Sequence, residues 1–151
     1  MDHARQLYER IGGRDGLRPV IERFYDKMFA DPWLGQFFDD VDKEGQQRKL
    51  EDFLCMGIDD QSPFKGNFPM IAHAHMLITQ PMLKRRTAML REAVEELGHP
   101  PDVVHLWLQV DAVWHSAVRK TRVSDCDPRL AGKPLKVVDV PDDAPAEPEG
   151  R

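Results

Sequence analysis

Apolar positions from about residue 2 to residue 122 recur every three or four places, and short turn signals divide that rhythm into helices. Leu7, Tyr8 and Ile11 open the series and stop at Gly12 and Gly13, where the absence of side chains permits a sharp reversal and close helix approach. Leu17, Val20, Ile21, Phe24 and Met28 form the buried stripe of a second helix. Asp31 and Pro32 have the chemistry of an N-cap and first-turn proline for a brief helical turn through Trp33, Leu34, Phe37 and Phe38. Asp42 caps the next helix, whose apolar face is Leu50, Phe53 and Leu54. Thr79 caps another, with Leu83, Thr87, Leu90, Val94 and Leu97 on one face and Gly98 closing it. Pro100, Pro101 and Asp102 begin a last long helix that turns Val103, Trp107, Val110, Trp114 and Ala117 inward. No stretch alternates as a strand does and no repeat is present, so the expected class is all-α.

The stretch from Gly57 to Pro69 carries Gly, Asp, Ser, Pro and Asn and reads as a loop. The helical signal fades after Arg122. A domain over residues 1–125 is expected, followed by a Pro-rich, acidic tail over 126–151 with the composition of a disordered segment.

Charge narrows the function classes. The formal charge of the 151-residue chain is −5, and the last eleven residues, with four acids and one Arg, account for −3 of it. The remaining body is nearly neutral and has no basic stripe for nucleic acid. No apolar run approaches the roughly 20 residues of a membrane helix, and the first residues lack a signal-peptide core, so a cytoplasmic location is expected. Cys55 and Cys126 form no C-x-x-C pair, and Cys55 lies in an apolar stretch as a small buried hydrophobe. A nucleophile motif, a Gly-rich phosphate loop and a clustered carboxylate pair are all absent, which argues against a hydrolase.

Several spaced elements carry a family resemblance: Leu7-Tyr8-Glu9-Arg10-Ile11-Gly12-Gly13, then Phe24-Tyr25, then Ala30-Asp31-Pro32-Trp33-Leu34 with Phe37-Phe38, and finally His73-Ala74-His75-Met76-Leu77-Ile78-Thr79-Gln80-Pro81-Met82-Leu83. In this order they resemble the truncated haemoglobins, over roughly residues 5 to 120. The resemblance implies a globin-like, two-over-two helical sandwich around haem b. It also implies a small diatomic ligand, O2 or NO, and a reductase as partners, with NO dioxygenase or peroxidase-like activity as the associated chemistry. Oligomeric state is left open. The pattern departs at Met56-Gly57-Ile58-Asp59-Asp60, which replaces a second Gly-Gly pair, and at Leu83, which replaces a Phe.

The same resemblance places the pocket residues. Tyr25 and Gln46 fall at the distal positions facing a ligand, Phe38 at the aromatic that packs on the porphyrin, and Leu50 at the next position inward; four-residue spacing adds Leu54 to the face of Gln46 and Leu50. Lys49, three residues after Gln46, is an alternative sixth ligand if burial strips its proton. With the last His of the motif read as the proximal iron ligand, the matching position is Met82, a soft thioether that binds haem iron in cytochromes. Four readings stay open: ligation by Met82, an axial imidazole from His75 or His73, haem held without a proximal bond, and a haem-free globin fold used for interaction or sensing, with Met82 as core filler. His73 and His75 are also candidates to pair with haem propionates. Lys84, Arg85 and Arg86 could do the same, although a basic run is most often a solvated face.

Overall fold

The computed structural model describes residues 2–61 and 64–142. Its first helix, α1 (His3–Ile11), starts at Asp2, whose carboxylate accepts the amides of Ala4 and Arg5, and stops at Gly12 with φ +91°. That left-handed conformation disfavours any side chain, and α2 (Arg14–Ala30) begins two residues later. Gly16 is required for a different reason: a Cβ there would collide with the Ile11 carbonyl. Asp31 then accepts the amides of Trp33 and Leu34 at 3.2 and 2.8 Å and launches a 3-10 turn over Leu34–Phe38. Asp42 caps α3 (Lys43–Leu54) by accepting the Gly45 amide. The short α4 (Pro69–Ala72) precedes α5 (Gln80–Glu96), and α6 (Pro101–Ala112) follows.

Helices α2 and α3 form one packed pair and α5 and α6 the other, with α2 lying against α5 and α1 closing on α6. Between them Leu7, Leu17, Val20, Ile21, Phe24, Val94, Val103 and Trp107 are all but excluded from water. Each such side chain contributes on the order of 1.5–3 kcal/mol by leaving water. The expected all-α two-over-two arrangement is what forms.

A buried ion cluster ties the start of α2 to α3. Arg14, only 7% exposed, meets Glu51 at 2.9 Å, Asp52 at 2.8 Å and Asp59 at 2.9 Å, while Arg18 takes the other face of Glu51 at 2.8 Å. The bond from Arg14 is the main reason the Asp59 carboxyl is pulled down to about 2.

The chain departs from the sequence expectation in two places. The last long helix is broken: α6 ends at Ala112 and a separate turn, α7 (His115–Val118), follows Trp114, whose backbone sits at φ −101°, ψ 1°. Ala117, expected inward, is exposed. Tertiary contacts of Trp114, described below, override the helical period here. Secondly, the tail expected to be disordered from residue 126 is packed as far as it is described. The turn α8 (Pro128–Ala131) leads into a parallel bridge between Met76 and Lys136, and Val138 is buried in the core. Local composition carries no record of such long-range pairing. Residues 143–151 lie outside the described residues.

Candidate functional site

A cavity of about 560 Å³ opens between the α2–α3 pair and the chain from residue 64 to α5. That volume is in the range of cofactor and small-molecule sites, about 300–1,000 Å³. Tyr25, Phe38, Gln46, Leu50, His73, His75 and Met82 all line it.

The helical side is organised by periodicity. Tyr25, 4% exposed, stands edge-on to Phe38 with ring centroids 6.1 Å apart, and Phe38 stacks on Phe29 at 4.5 Å. The Gln46 amide donates to the Tyr25 hydroxyl at 3.3 Å. The phenol oxygen thus accepts, and its own O–H is left over as a donor. Burial raises the Tyr25 pKa above its ordinary 10.0, so the proton stays. Lys49, Phe53 and Leu50 line the cavity with Gln46. At 3.6 residues per turn these four span about 100° of α3, and Leu54 lies about 40° beyond Leu50. Leu54 is accordingly not on this cavity. It packs beside Ile21, Phe24, Leu90 and Trp107 in a small apolar void, which corrects its assignment to the cofactor pocket. Lys49 is exposed at the rim.

The loop side has no such regularity. Pro69 opens α4, and its carbonyl receives both the backbone amide of His73 at 3.0 Å and the His73 ring Nδ1 at 2.8 Å. A carbonyl can only accept, so Nδ1 carries the hydrogen and Nε2 keeps its lone pair. The ring lies parallel to Trp114, 13° between planes at 6.1 Å, and the His73 carbonyl is held by Lys120 Nζ at 2.8 Å. Burial pushes the His73 pKa from 6.5 down to about 4, against the opposing pull of the Pro69 hydrogen bond. The imidazole is therefore neutral at neutral pH. His75 is 7% exposed, with Nδ1 enclosed and unpartnered. Met82 is 5% exposed in the first turn of α5, where its sulfur accepts the Thr79 amide at 3.5 Å.

Two neighbours of the site were under-read in the sequence. Arg86, offered there as a propionate partner or part of a solvated face, is instead buried, bonds Asp111 at 2.6 Å and lies between the rings of Phe24 and Trp114, 4.7 and 4.6 Å from their centroids. Asp111 also meets His115 Nε2 at 2.9 Å. The available signal was the register of position 86, three after Leu83 and four before Leu90 on the apolar face. Arg85 instead pairs with Asp31 at 2.9 Å. The second omission is the C-terminal segment, whose Ala131, Lys133, Pro134 and Lys136 reach the cavity. Among the described residues no cluster of three His, Cys, Asp or Glu side chains could hold a bare metal ion, and no helix is long and apolar enough to cross a membrane.

Residues 6–118 match the family model described as bacterial-like globin. A group 1 truncated hemoglobin from Chlamydomonas moewusii is 28% identical over 128 residues, 83% of this chain and 71% of the relative. The crystal structure of the truncated hemoglobin from Tetrahymena pyriformis in its Fe(III) form superposes with a TM-score of 0.68 at 24% identity, covering 76% of this chain and 98% of that one. The 2/2 hemoglobin from Synechococcus sp. PCC 7002, solved in the cyanomet state with covalently attached heme, gives a TM-score of 0.64 at 26% identity, covering 74% and 96%. The chain belongs to the bacterial-like globin family and is a homologue of the truncated hemoglobins, whose two-over-two fold it shares.

Proposed function

We propose that this protein is a haem-binding truncated globin whose axial ligand is His73, not Met82 or His75, and whose Tyr25 and Gln46 face a diatomic ligand such as O2 or NO. The observation that carries the reading is the fixed neutral ring of His73 on the same cavity as the Tyr25–Gln46 hydrogen bond. The donor set fits a haem. Imidazole is a common ligand for iron, and a hydrogen bond from the second ring nitrogen to a carbonyl is the usual way of orienting it. Met82 is the weaker candidate, since its sulfur already serves the Thr79 amide and a thioether donates less to iron. His75 has no group on Nδ1 to set its tautomer.

Haem would supply an iron centre able to bind a diatomic gas. The chain supplies the surroundings. Met28, Phe37, Phe38, Leu50, Leu83 and Val118 give the cavity apolar lining. His73 needs no proton removed before it can act as a ligand, because burial already keeps it neutral. Tyr25 presents a retained O–H, and Gln46 fixes the oxygen that bears it. The Tyr25 O–H left over after Gln46 donates is a buried donor, and leaving such a group without an acceptor costs about 1–3 kcal/mol. A redox-active site of this kind requires an electron donor, and a reductase is the partner class that follows.

Hemin titration of the purified protein tests the proposal. A sharp Soret band saturating at one hemin per chain is expected. An absorbance change no larger than that of a non-binding control protein would leave a globin scaffold used for interaction or sensing.

A further inference from the structure

Residues 128–139 lie beyond the part of the chain that matches the family model, yet they form one margin of the cavity. The segment is stitched down at several points. The Asp127 amide donates to the Ala74 carbonyl at 2.7 Å, the Lys136 amide to the His75 carbonyl at 2.8 Å, and the Leu77 amide to the Lys136 carbonyl at 3.0 Å. Further on, the Gln36 side chain clasps the Asp139 backbone from both sides, donating to its carbonyl at 2.7 Å and accepting its amide at 3.1 Å. Val138 is inserted into the core between these points. This is a strap, anchored across the same residues, 74–77, that follow His73.

The charges on the cavity lining are uneven. Arg86 is neutralised by Asp111, and Lys136 by Asp39 at 2.6 Å. Like Lys49 at the α3 rim, Lys133 makes no ion pair among the described residues and is exposed at the cavity edge. It lies close enough to His75 to help hold that ring neutral, after burial as the first cause. Among the described residues Asp40 is the only acid on the lining. The rim thus offers a free cation on the side of the proposed axial ligand, where an anionic edge of a flat apolar molecule would emerge.

We propose that the strap is part of the cofactor site: Lys133 holds a carboxylate of the bound tetrapyrrole at the rim, and the docked segment slows the cofactor's escape. The inference rests on the haem reading. It assigns a retaining role to a segment outside the family-matched region, and it explains why the tail is packed where its composition resembles a disordered chain.

The test is the rate at which the full-length, hemin-loaded protein surrenders hemin to an excess of apomyoglobin, followed at the Soret band. Lys133→Ala, Gln36→Ala and Val138→Asp are compared with the parent, each with hemin and with its dimethyl ester, which lacks free carboxylates. Val138→Asp and Gln36→Ala should speed loss of both porphyrins, by roughly tenfold and threefold. Should Val138→Asp fail to fold, Gln36→Ala carries the strap arm alone, since the Gln36 side chain is half-buried and bonds only the backbones of Pro32, Trp33 and Asp139. Lys133→Ala should speed hemin loss about threefold, the scale of an exposed ion pair, and leave the ester unchanged. Unaltered rates in every variant, or an equal Lys133→Ala effect on hemin and ester, would overturn the inference while leaving the haem reading intact. Failure of the parent to take up hemin at all would overturn both.

Discussion

The two sides of the cavity are built on different principles. On the α2–α3 side, Tyr25, Gln46 and Leu50 are set by helical register, each residue's direction following from its spacing to the next. On the other side, His73 follows a four-residue helix, its ring is fixed by one carbonyl, and a tryptophan from a distant helix break lies against it. The first side provides polar donors in regular positions. The second provides the proposed ligand, held by contacts from three separate segments: Pro69 in α4, Trp114 and Lys120. A regular scaffold tolerates changes locally, whereas the irregular side transmits them to the ring that matters.

The largest expected effect comes from breaking the irregular side from behind. Arg86 and Asp111 have side chains only 11% and 8% exposed, and Arg86 supports the Trp114 face. Asp111→Asn leaves that guanidinium buried without its counter-charge and should cost about 3 kcal/mol in urea unfolding. It should also disturb the His73 ring more than the Tyr25 one, which the ring proton shifts of His73 and Tyr25 would report. A loss under about 1 kcal/mol would mean that the pair does not brace this wall.

Acid should act on the sides in sequence. His73 has its folded pKa lowered from 6.5 to about 4, so the unfolded chain takes up the proton first. Stability contributed by the neutral ring is complete above about 6.5 and declines as the pH falls toward 4. The Asp59 carboxylate, lowered from 3.8 to about 2, supports the α2–α3 side until a second decline between those values. Denaturant unfolding across this range should show both stages, and His73→Phe should shrink only the upper one, leaving the part contributed by His75, whose pKa burial also lowers. A variant whose upper stage matched the parent's would contradict the assignment.

Tyr25→Phe sharpens the comparison on the helical side, removing one hydroxyl without changing the register. The protein should fold as before, while a bound O2 should dissociate roughly tenfold faster, about the value of one hydrogen bond. Flash photolysis measures that rate directly, and an unchanged rate would remove Tyr25 from the ligand's surroundings. Smallest of all should be Met82→Leu. This is a near volume-conserving swap that loses one weak N–H···S contact and should cost under about 1.5 kcal/mol in unfolding.

The same contrast explains how much could be read from the chain. The caps Asp31, Asp42 and Thr79, the reversal at Gly12, and the shared face of Gln46 and Leu50 are local and were legible. Leu54 was misplaced because a four-residue step drifts round the helix by about 40°, enough to leave the cavity for the core. The role proposed for His73 was blurred for another reason. A motif read linearly draws attention to Met82, whereas the hydrogen bond to Pro69 that orients His73 depends on how α4 folds. Arg86 was hidden by its basic neighbours, although its place on the apolar stripe marked it. The pairing of Lys136 with residues 75 and 77 is non-local and left no signal in composition.

The central claim is that His73 is the axial ligand, and it is tested most directly by the absorption spectra and hemin affinities of His73→Ala, His75→Ala and Met82→Leu beside the parent, in ferric and dithionite-reduced forms. His73→Ala should weaken hemin binding about a hundredfold and shift the Soret band, with added imidazole restoring the parent spectrum. The other two variants should keep the parent spectrum and stay within about threefold in affinity. A parent-like spectrum in His73→Ala, together with loss of the band in Met82→Leu or His75→Ala, would contradict the account.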